Sequence, residues 1–341
     1  MYLIILRGLN AIYMELVMLL HKILNLKDSD EIYLVEENYI NQRDLPLTMH
    51  YLGILVSEKD LLKDVKTIKV VDEFGEIIGI AAYNPETPET PAFWSVFTNV
   101  VNIIANTNKN NKFLTLTSYI YDSVDLNNKK IFQTTRKEFW EGVIEYYSLL
   151  LVNRSFCERC TILKESYEMI YNRNRVNRIK ELIKSLDSYL NNNILEICCG
   201  NGMSSIALHE IGYSPVTIDN DMCAICQGLE HKVLNPHKTI VMDATRLSYF
   251  FSEDNKFDCV VGFMLGTIYE FNKNIWGTIL HEAVKVVKEK GTLLFTVRKK
   301  EEIDFVKNTL ENFGVKGDII DNRDNDGIYD QWVYLGCNMT C

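Results

Sequence analysis

The chain has 341 residues, 47% of them apolar, enough for one large domain or two ordinary ones, each with its own core. Its formal charge of −10 argues against holding a nucleic acid across its own surface, because a polyanion is repelled unless a local basic patch overrides the field. Nine cysteines without a signal peptide fit a reducing cytosol, so a cytoplasmic protein acting on small molecules or proteins is the expectation.

The first 26 residues, MYLIILRGLNAIYMELVMLLHKILNL, are apolar, but Arg7, Asn10, Glu15 and His21 interrupt them. A membrane span needs about 18 continuous apolar residues. Ile12, Leu16, Leu19 and Ile23 instead mark one face of a buried helix, and no membrane partner is expected. Two helices are expected in the first 65 residues, separated by NQRDLPL. TIKVVDEFGEIIGIAAY, Thr67 to Tyr83, reads as a β-hairpin turning near Gly75. That hairpin is similar to the central one of acyl-CoA N-acetyltransferases, but the proline-rich connector NPETPETPAFW follows where that family has a phosphate-binding loop. A helix over Phe93 to Ala105, the polar turn NTNKNNK and a β-rich FLTLTSYIY come next. From Thr135 to Leu190 the pattern is helical, with Ile170, Val176, Ile179, Ile183 and Leu186 on one face. The expectation is an α+β, largely helical N-terminal domain over residues 1–150, which covers the substrate, and a connecting helix over 151–190.

From Asn193 the texture becomes strand and helix in alternation, the signature of a parallel sheet with crossover helices. Strands are expected at ILEIC, SPVTID, KTIVMDA, FDCVVGF, GTLLFTV, VKGDII and WVYLGC, the last two pairing antiparallel. Helices are expected to start near Met203, Met222, Asn274 and Glu301, with a short turn at Leu247 to Phe251. This defines a second domain over residues 191–341.

The first of those strands runs into CGNGMSS and a helix. Glycines there let a ligand approach the backbone, and the helix start offers unpaired N–H groups to an anion. Asp219 ends the second strand, 17 residues after Gly202, where a carboxylate can accept both hydroxyls of a ribose. The spacing Gly200-x-Gly202-x-x-Ser205 is a partial dinucleotide fingerprint. Glu196 lies inside the first strand, where a carboxylate can hold an ammonium, and Asp243 ends the third, where it can accept from an exocyclic adenine amine. A ligand with an adenosine and an amino-acid tail uses both.

These residues resemble the class I S-adenosylmethionine-dependent methyltransferases. The family's acid followed by glycines at alternate positions appears as Glu196, Cys198, Gly200 and Gly202, with Cys198 standing where the family has its first glycine. The resemblance continues through Asp219 with Asn220 for the ribose, Asp243 with Ala244 for the adenine, the fourth strand FDCVVGFM with Phe263, and the terminal strand pair. It covers about Asn193 to Cys341. It implies an α/β fold with a seven-stranded, mostly parallel Rossmann-like sheet ending in an antiparallel pair. It also implies S-adenosylmethionine as cofactor, no metal, and those nine residues as its binding positions.

In this family the nucleophile meets the methyl near the end of the fourth strand, here Gly262 to Leu265. The Asn-Pro-Pro-aromatic signature of amino methylation on nucleic acid is absent from GFMLGTIYEF, in agreement with the charge. A small-molecule acceptor is therefore expected. Tyr269 and Glu270 are the catalytic candidates, with His281 behind them, and each also reads as a packing or surface residue. No insertion large enough to cover a substrate interrupts the second domain. Tyr167, Tyr171, Arg173 and Arg175, just ahead of it, are candidates for holding an anionic or aromatic substrate, although a charged stripe is also the pattern of a solvated face.

The cysteines permit another reading. Cys157/Cys160 and Cys223/Cys226 form C-x-x-C pairs, with Cys198 and Cys199 between them, and four thiolates can bind zinc or an iron–sulfur cluster. Cys223 and Cys226 fall in a helix, where positions i and i+3 share a face that normally packs on the sheet. Buried thiols explain them as well as a metal does. A methyltransferase-fold partner subunit without activity is the third alternative.

Overall fold

The computed structural model describes residues 18–36, 53, 56–57, 65–88, 91–98, 100, 119–152, 165–251, 256–324 and 327–338. The chain divides into two compact units, Met1–Tyr147 and Ser148–Cys341, with the division inside the helix Arg136–Val152.

The first unit is organised round a five-stranded mixed sheet. Strands β1 (Glu31–Glu36), β2 (Thr67–Val71), β3 (Ile77–Asn84), β4 (Phe93–Thr98) and β5 (Lys129–Gln133) lie in the order β1-β4-β3-β2-β5. The expected hairpin is β2 and β3, paired antiparallel. Asp72 ties its turn together by accepting the Phe74 and Glu76 amides at 2.9 and 2.8 Å and the Arg136 guanidinium at 2.8 Å. Burial alone would raise that carboxyl, but Arg136 and the two amides outweigh it and hold the group below the usual carboxylate range.

Three expectations fail here. Phe93–Thr98 is a strand, not the start of a helix: its aromatic and β-branched side chains alternate across the sheet, and pairing with β1 and β3 on both edges overrides local propensity. Tyr119–Asp122 is helical, not part of a strand, and the rest of FLTLTSYIY lies outside the described residues, as do residues 101–105. β1 interrupts the region assigned to two helices; Leu19–Ile23 is helical, and residues 1–17 lie outside the description. β5, KKIFQ, went unread because it is a polar edge strand with no buried face.

In the second unit, β6 (Ile194–Ile197), β7 (Val216–Asp219), β8 (Thr239–Val241), β9 (Phe257–Gly262), β10 (Val287–Val297), β11 (Val315–Asp321) and β12 (Trp332–Asn338) form one sheet. Their order is β11-β12-β10-β9-β6-β7-β8. β6 to β10 pair in parallel, while β12 runs antiparallel to both β10 and β11, so the sheet is mixed, with the irregular pair where it was expected. β6 is buried along its whole length, which is why it reads as an unbroken apolar run around a single acid. The helices Met203–Glu210, Met222–Glu230, Lys273–Val286 and Lys300–Asn312 start within a residue of their expected positions.

Ahead of β6, Arg173–Ser185 is an amphipathic helix started by Asn172, whose side chain accepts the Arg175 amide at 3.1 Å. Val176, Ile179, Ile183 and Leu186 enter the core with Tyr171 and Phe263, whereas Ile170 sits on a separate turn, Tyr167–Ile170. The strand order reverses at β6, whose neighbours are β7 and β9. Open α/β sheets bind ligands at the carboxyl ends of the strands at such a switch point.

Asp72→Asn tests the hairpin contact. Urea denaturation at pH 7 should show a loss of about 1–3 kcal/mol. The folded pKa is depressed, so the stabilisation exists above the unfolded value near 3.8 and is lost as pH falls through the folded one. The difference between wild type and variant should therefore vanish in that acid range.

Candidate functional site

The turn after β6 is shaped by two glycines with different reasons to be glycine. Gly202, at φ 86°, caps the Met203 helix, and a Cβ there would lie 2.7 Å from Val233 and Leu234. Gly200, at φ 54°, has no atom of the described residues within 4 Å of its Cβ position. Cys198 shares the left-handed conformation at φ 54°, which costs a residue with a Cβ roughly 1–2 kcal/mol. That conformation is what a glycine at this position would supply without cost.

Asp219 closes the turn from the neighbouring strand. Its carboxylate accepts the Gly200 amide and the Asp221 amide, each at 2.8 Å. Burial raises this carboxyl above its ordinary range against the pull of those amides. Asn220 beside it is exposed. At the end of β8, Asp243 is exposed and accepts the Thr245 amide at 2.8 Å, while Ala244 is buried. Phe263, after β9, packs into the core.

Glu196 is wholly buried, and the hydroxyls of Ser204 and Ser205 donate to its two oxygens, the latter at 2.6 Å. Burial pushes its pKa up to about 7, against the two serines and the field of Arg175. The glycine spacing does not announce this serine pair, in which Ser205 stands at the third position of the fingerprint; two hydroxyls in the first turn after a strand carboxylate are the signal for it.

The basic helix ahead of β6 is largely spoken for. Arg173 and Lys180 both bind Glu210, Lys180 at 2.7 Å. Arg175 binds Asp330 at 2.9 Å, and Arg178 reaches Asp324 at 3.5 Å and the Asn322 carbonyl at 2.9 Å. Tyr171 is buried and donates to the Asn201 carbonyl at 2.9 Å, bracing the glycine turn from behind; Tyr167 packs on it with ring centroids 4.6 Å apart and is half-exposed.

Beyond β9, Tyr269 and Glu270 are exposed. Tyr269 stacks on Phe271 with centroids 5.4 Å apart, and Glu270 pairs with Lys273 at 2.6 Å. His281 lies flat against Phe313, 4.2 Å between centroids. A groove of about 690 Å³ between the Lys273 and Lys300 helices is lined by Glu270, Lys273, His281, Phe305 and Phe313; it includes no residue of the glycine turn. Cys226 is buried and donates to the Leu151 carbonyl at 3.4 Å. No group of three or more His, Cys, Asp and Glu is arranged for a metal among the described residues, and Cys157 and Cys160 lie outside them.

Residues 194–291 match the family model described as a methyltransferase domain. Among solved structures, the N-methyltransferase NodS from Bradyrhizobium japonicum is similar at 20% identity and a TM-score of 0.39, over 49% of this chain and 95% of its own. The magnesium protoporphyrin IX methyltransferase ChlM from Synechocystis, solved with bound SAM, aligns at 10% identity and a TM-score of 0.39, over 58% of this chain and 97% of its own. The ribosomal protein L11 methylase from Lactobacillus delbrueckii aligns at 14% identity and a TM-score of 0.36, over 49% of this chain and 79% of its own. No curated protein matches the chain.

Two substitutions separate the demands on the turn. Cys198→Gly should raise stability by about 0.5–1 kcal/mol, the relieved left-handed strain less the entropy of glycine. Gly202→Ala should lower it by about 2 kcal/mol or more, since the Cβ meets two side chains and the backbone is strained. Chemical denaturation measures both.

Proposed function

We propose that the second unit, whose residues 194–291 match a methyltransferase domain, is a class I S-adenosylmethionine-dependent methyltransferase domain and that the protein moves a methyl group to a small-molecule acceptor. The observation that carries the reading is the Asp219 carboxylate bonded to the Gly200 amide, at a glycine whose Cβ position meets no described atom within 4 Å. A Cβ at position 200 would fill the space a nucleoside needs against the backbone, so the residues present fit the cofactor.

In this reading Asp219, with Asn220, takes the ribose hydroxyls, exchanging one backbone amide for a ligand donor. Asp243 and Ala244 meet the adenine. Glu196 receives the ammonium of the amino-acid tail, and Cys198, Gly200, Gly202 and Phe263 complete the cradle. The bound cofactor supplies an activated methyl on a sulfonium, so the protein's task is alignment and exclusion of water. Tyr269 and Glu270 take the acceptor side, where an exposed carboxylate can receive a proton from a hydroxyl or ammonium nucleophile. Tyr167 is the aromatic left to meet the acceptor, while Tyr171, Arg173 and Arg175 shape the wall through the bonds they already make.

The fate of the basic side chains supports a small acceptor. Arg173, Arg175, Arg178 and Lys180 are paired to Glu210, Asp330 and Asp324, and the chain carries a net charge of −10. A phosphate backbone would have to break those pairs to be held there.

Isothermal titration with S-adenosylhomocysteine tests the cofactor site. Wild type should bind, and Asp219→Ala should weaken binding about tenfold or more. Equal affinity in both would sink the assignment. An ammonium beside Glu196 favours its ionised form, so binding near pH 6 should release a proton, because burial pushes this carboxyl's pKa up to about 7. The enthalpy measured in buffers of different ionisation heat reads this, and Glu196→Gln should abolish it. Methyl transfer from labelled cofactor to a metabolite extract rather than to total RNA tests the acceptor class.

A further inference from the structure

Three non-glycine residues of the second unit adopt left-handed backbone at turns bordering the carboxyl end of its parallel strands: Cys198 after β6, Met264 after β9 (φ 56°) and Asp330 before β12 (φ 53°). Such residues persist only where their surroundings over-determine them. For Met264 and Asp330 the surroundings are one chain of hydrogen bonds. The Met264 amide donates to Thr296 Oγ1 at 2.6 Å, and the next amide, that of Leu265, donates to the Thr296 carbonyl at 2.9 Å. β9 and β10 pair in parallel with Gly262 opposite Phe295, which brings the Thr296 side chain to the turn that follows β9.

A threonine hydroxyl has one proton and two lone pairs. Here the proton is committed to Asp330 Oδ1 at 2.5 Å, so the lone pairs are turned to accept from Met264. The other Asp330 oxygen takes Arg175 Nε at 2.9 Å, and the guanidinium lies 4.8 Å over the Tyr329 ring. The Asp330 carbonyl accepts the Asn322 amide group at 2.7 Å, which closes the loop around it. Thr296 and Asp330 are both buried. A buried carboxylate thus sets a hydroxyl rotor, and the hydroxyl accepts the amide of a residue held in the left-handed region.

Met264 follows the strand end at which the acceptor meets the methyl in the reading above, and the inference rests on that reading. We propose that Asp330 and Thr296 are positioning residues of the acceptor wall. Asp330 orients Thr296, Thr296 holds the Met264 peptide, and Arg175 holds Asp330. The arginine nominated for substrate then acts through the wall and not on the substrate.

The test compares wild type, Thr296→Val, Thr296→Ser and Asp330→Asn as full-length proteins. Affinities for S-adenosylmethionine and S-adenosylhomocysteine are measured by titration; the two ligands differ only in the methyl and the positive charge it gives the sulfur, the part that faces the acceptor wall. Amide hydrogen exchange at Met264 and Leu265 is read in the same samples. In Thr296→Val and Asp330→Asn, affinity for S-adenosylhomocysteine should stay within about twofold of wild type. The ratio of the two affinities should shift about fivefold or more, since small misplacements at a reacting centre have large effects. Met264 exchange should accelerate about tenfold, by loss of its hydrogen bond. Thr296→Ser should behave as wild type. Parallel loss of both ligands, an unchanged ratio, unchanged Met264 exchange, or a serine variant that fails like valine overturns the assignment. Wild type that binds neither ligand overturns the methyltransferase reading and this assignment with it; wild type that binds both while the variants keep its ratio overturns only the assignment.

Discussion

Leu195 is held on both sides, opposite Val216 of β7 and Val260 of β9, and the rest of the second unit depends on that double pairing. A strand bonded along both edges and buried on both faces has no freedom of register, because a slip of one residue would turn Glu196 to the other face. The chain winds outward from β6 in two directions, the arrangement that leaves a gap at the carboxyl ends of an open α/β sheet. The glycine turn, Asp219 and Met264 all stand around that gap, at positions set by the pairing of three short strands.

Charge is placed in this gap at a cost. Glu196 is buried with two serine hydroxyls and, among the described residues, no cation bonded to it, and burial raises its pKa to about 7. Asp219 keeps two backbone amides and is also raised. Asp330, in contrast, is buried with a guanidinium at 2.9 Å. Among the described residues, then, the third carboxylate has a full counter-charge bonded to it and the first two are held by hydroxyls or amides. The left-handed turns at Cys198 and Met264 fall on the same border, as strained backbone commonly does beside functional clefts.

Much of this was legible in the sequence. From residue 193 onward every strand and helix start is present close to its expected place, because parallel strands buried on both faces read as apolar runs and their helices carry caps such as Asp221. The N-terminal unit was harder to read. PAFWSVF suits a helix or a strand by local preference, and only its two partners make it β4; KKIFQ has too few apolar residues to announce itself as an edge. In the site, Glu196, Gly200, Gly202, Asp219 and Asp243 could be named from order and spacing, and Ser204 and Ser205 carry a local signal in the first turn after the strand carboxylate, whereas Thr296 and Asp330 could not be named, since their contacts span 32 and 34 residues of chain.

The sequence by itself determined the alternation that builds the sheet, the acid and glycines at the first turn and the carboxylates at the ends of the next two strands, because each is a local pattern of burial or backbone freedom. Tertiary structure decided what the polar side chains do. An arginine stripe that reads as solvent- or substrate-facing becomes a set of clamps on Glu210, Asp330 and Asp324, and a threonine inside an apolar strand becomes the acceptor for a strained amide. The physical reason is range: apolar periodicity is written every two or four residues, but a hydrogen-bond partner is chosen by whichever distant segment the fold brings within about 3 Å.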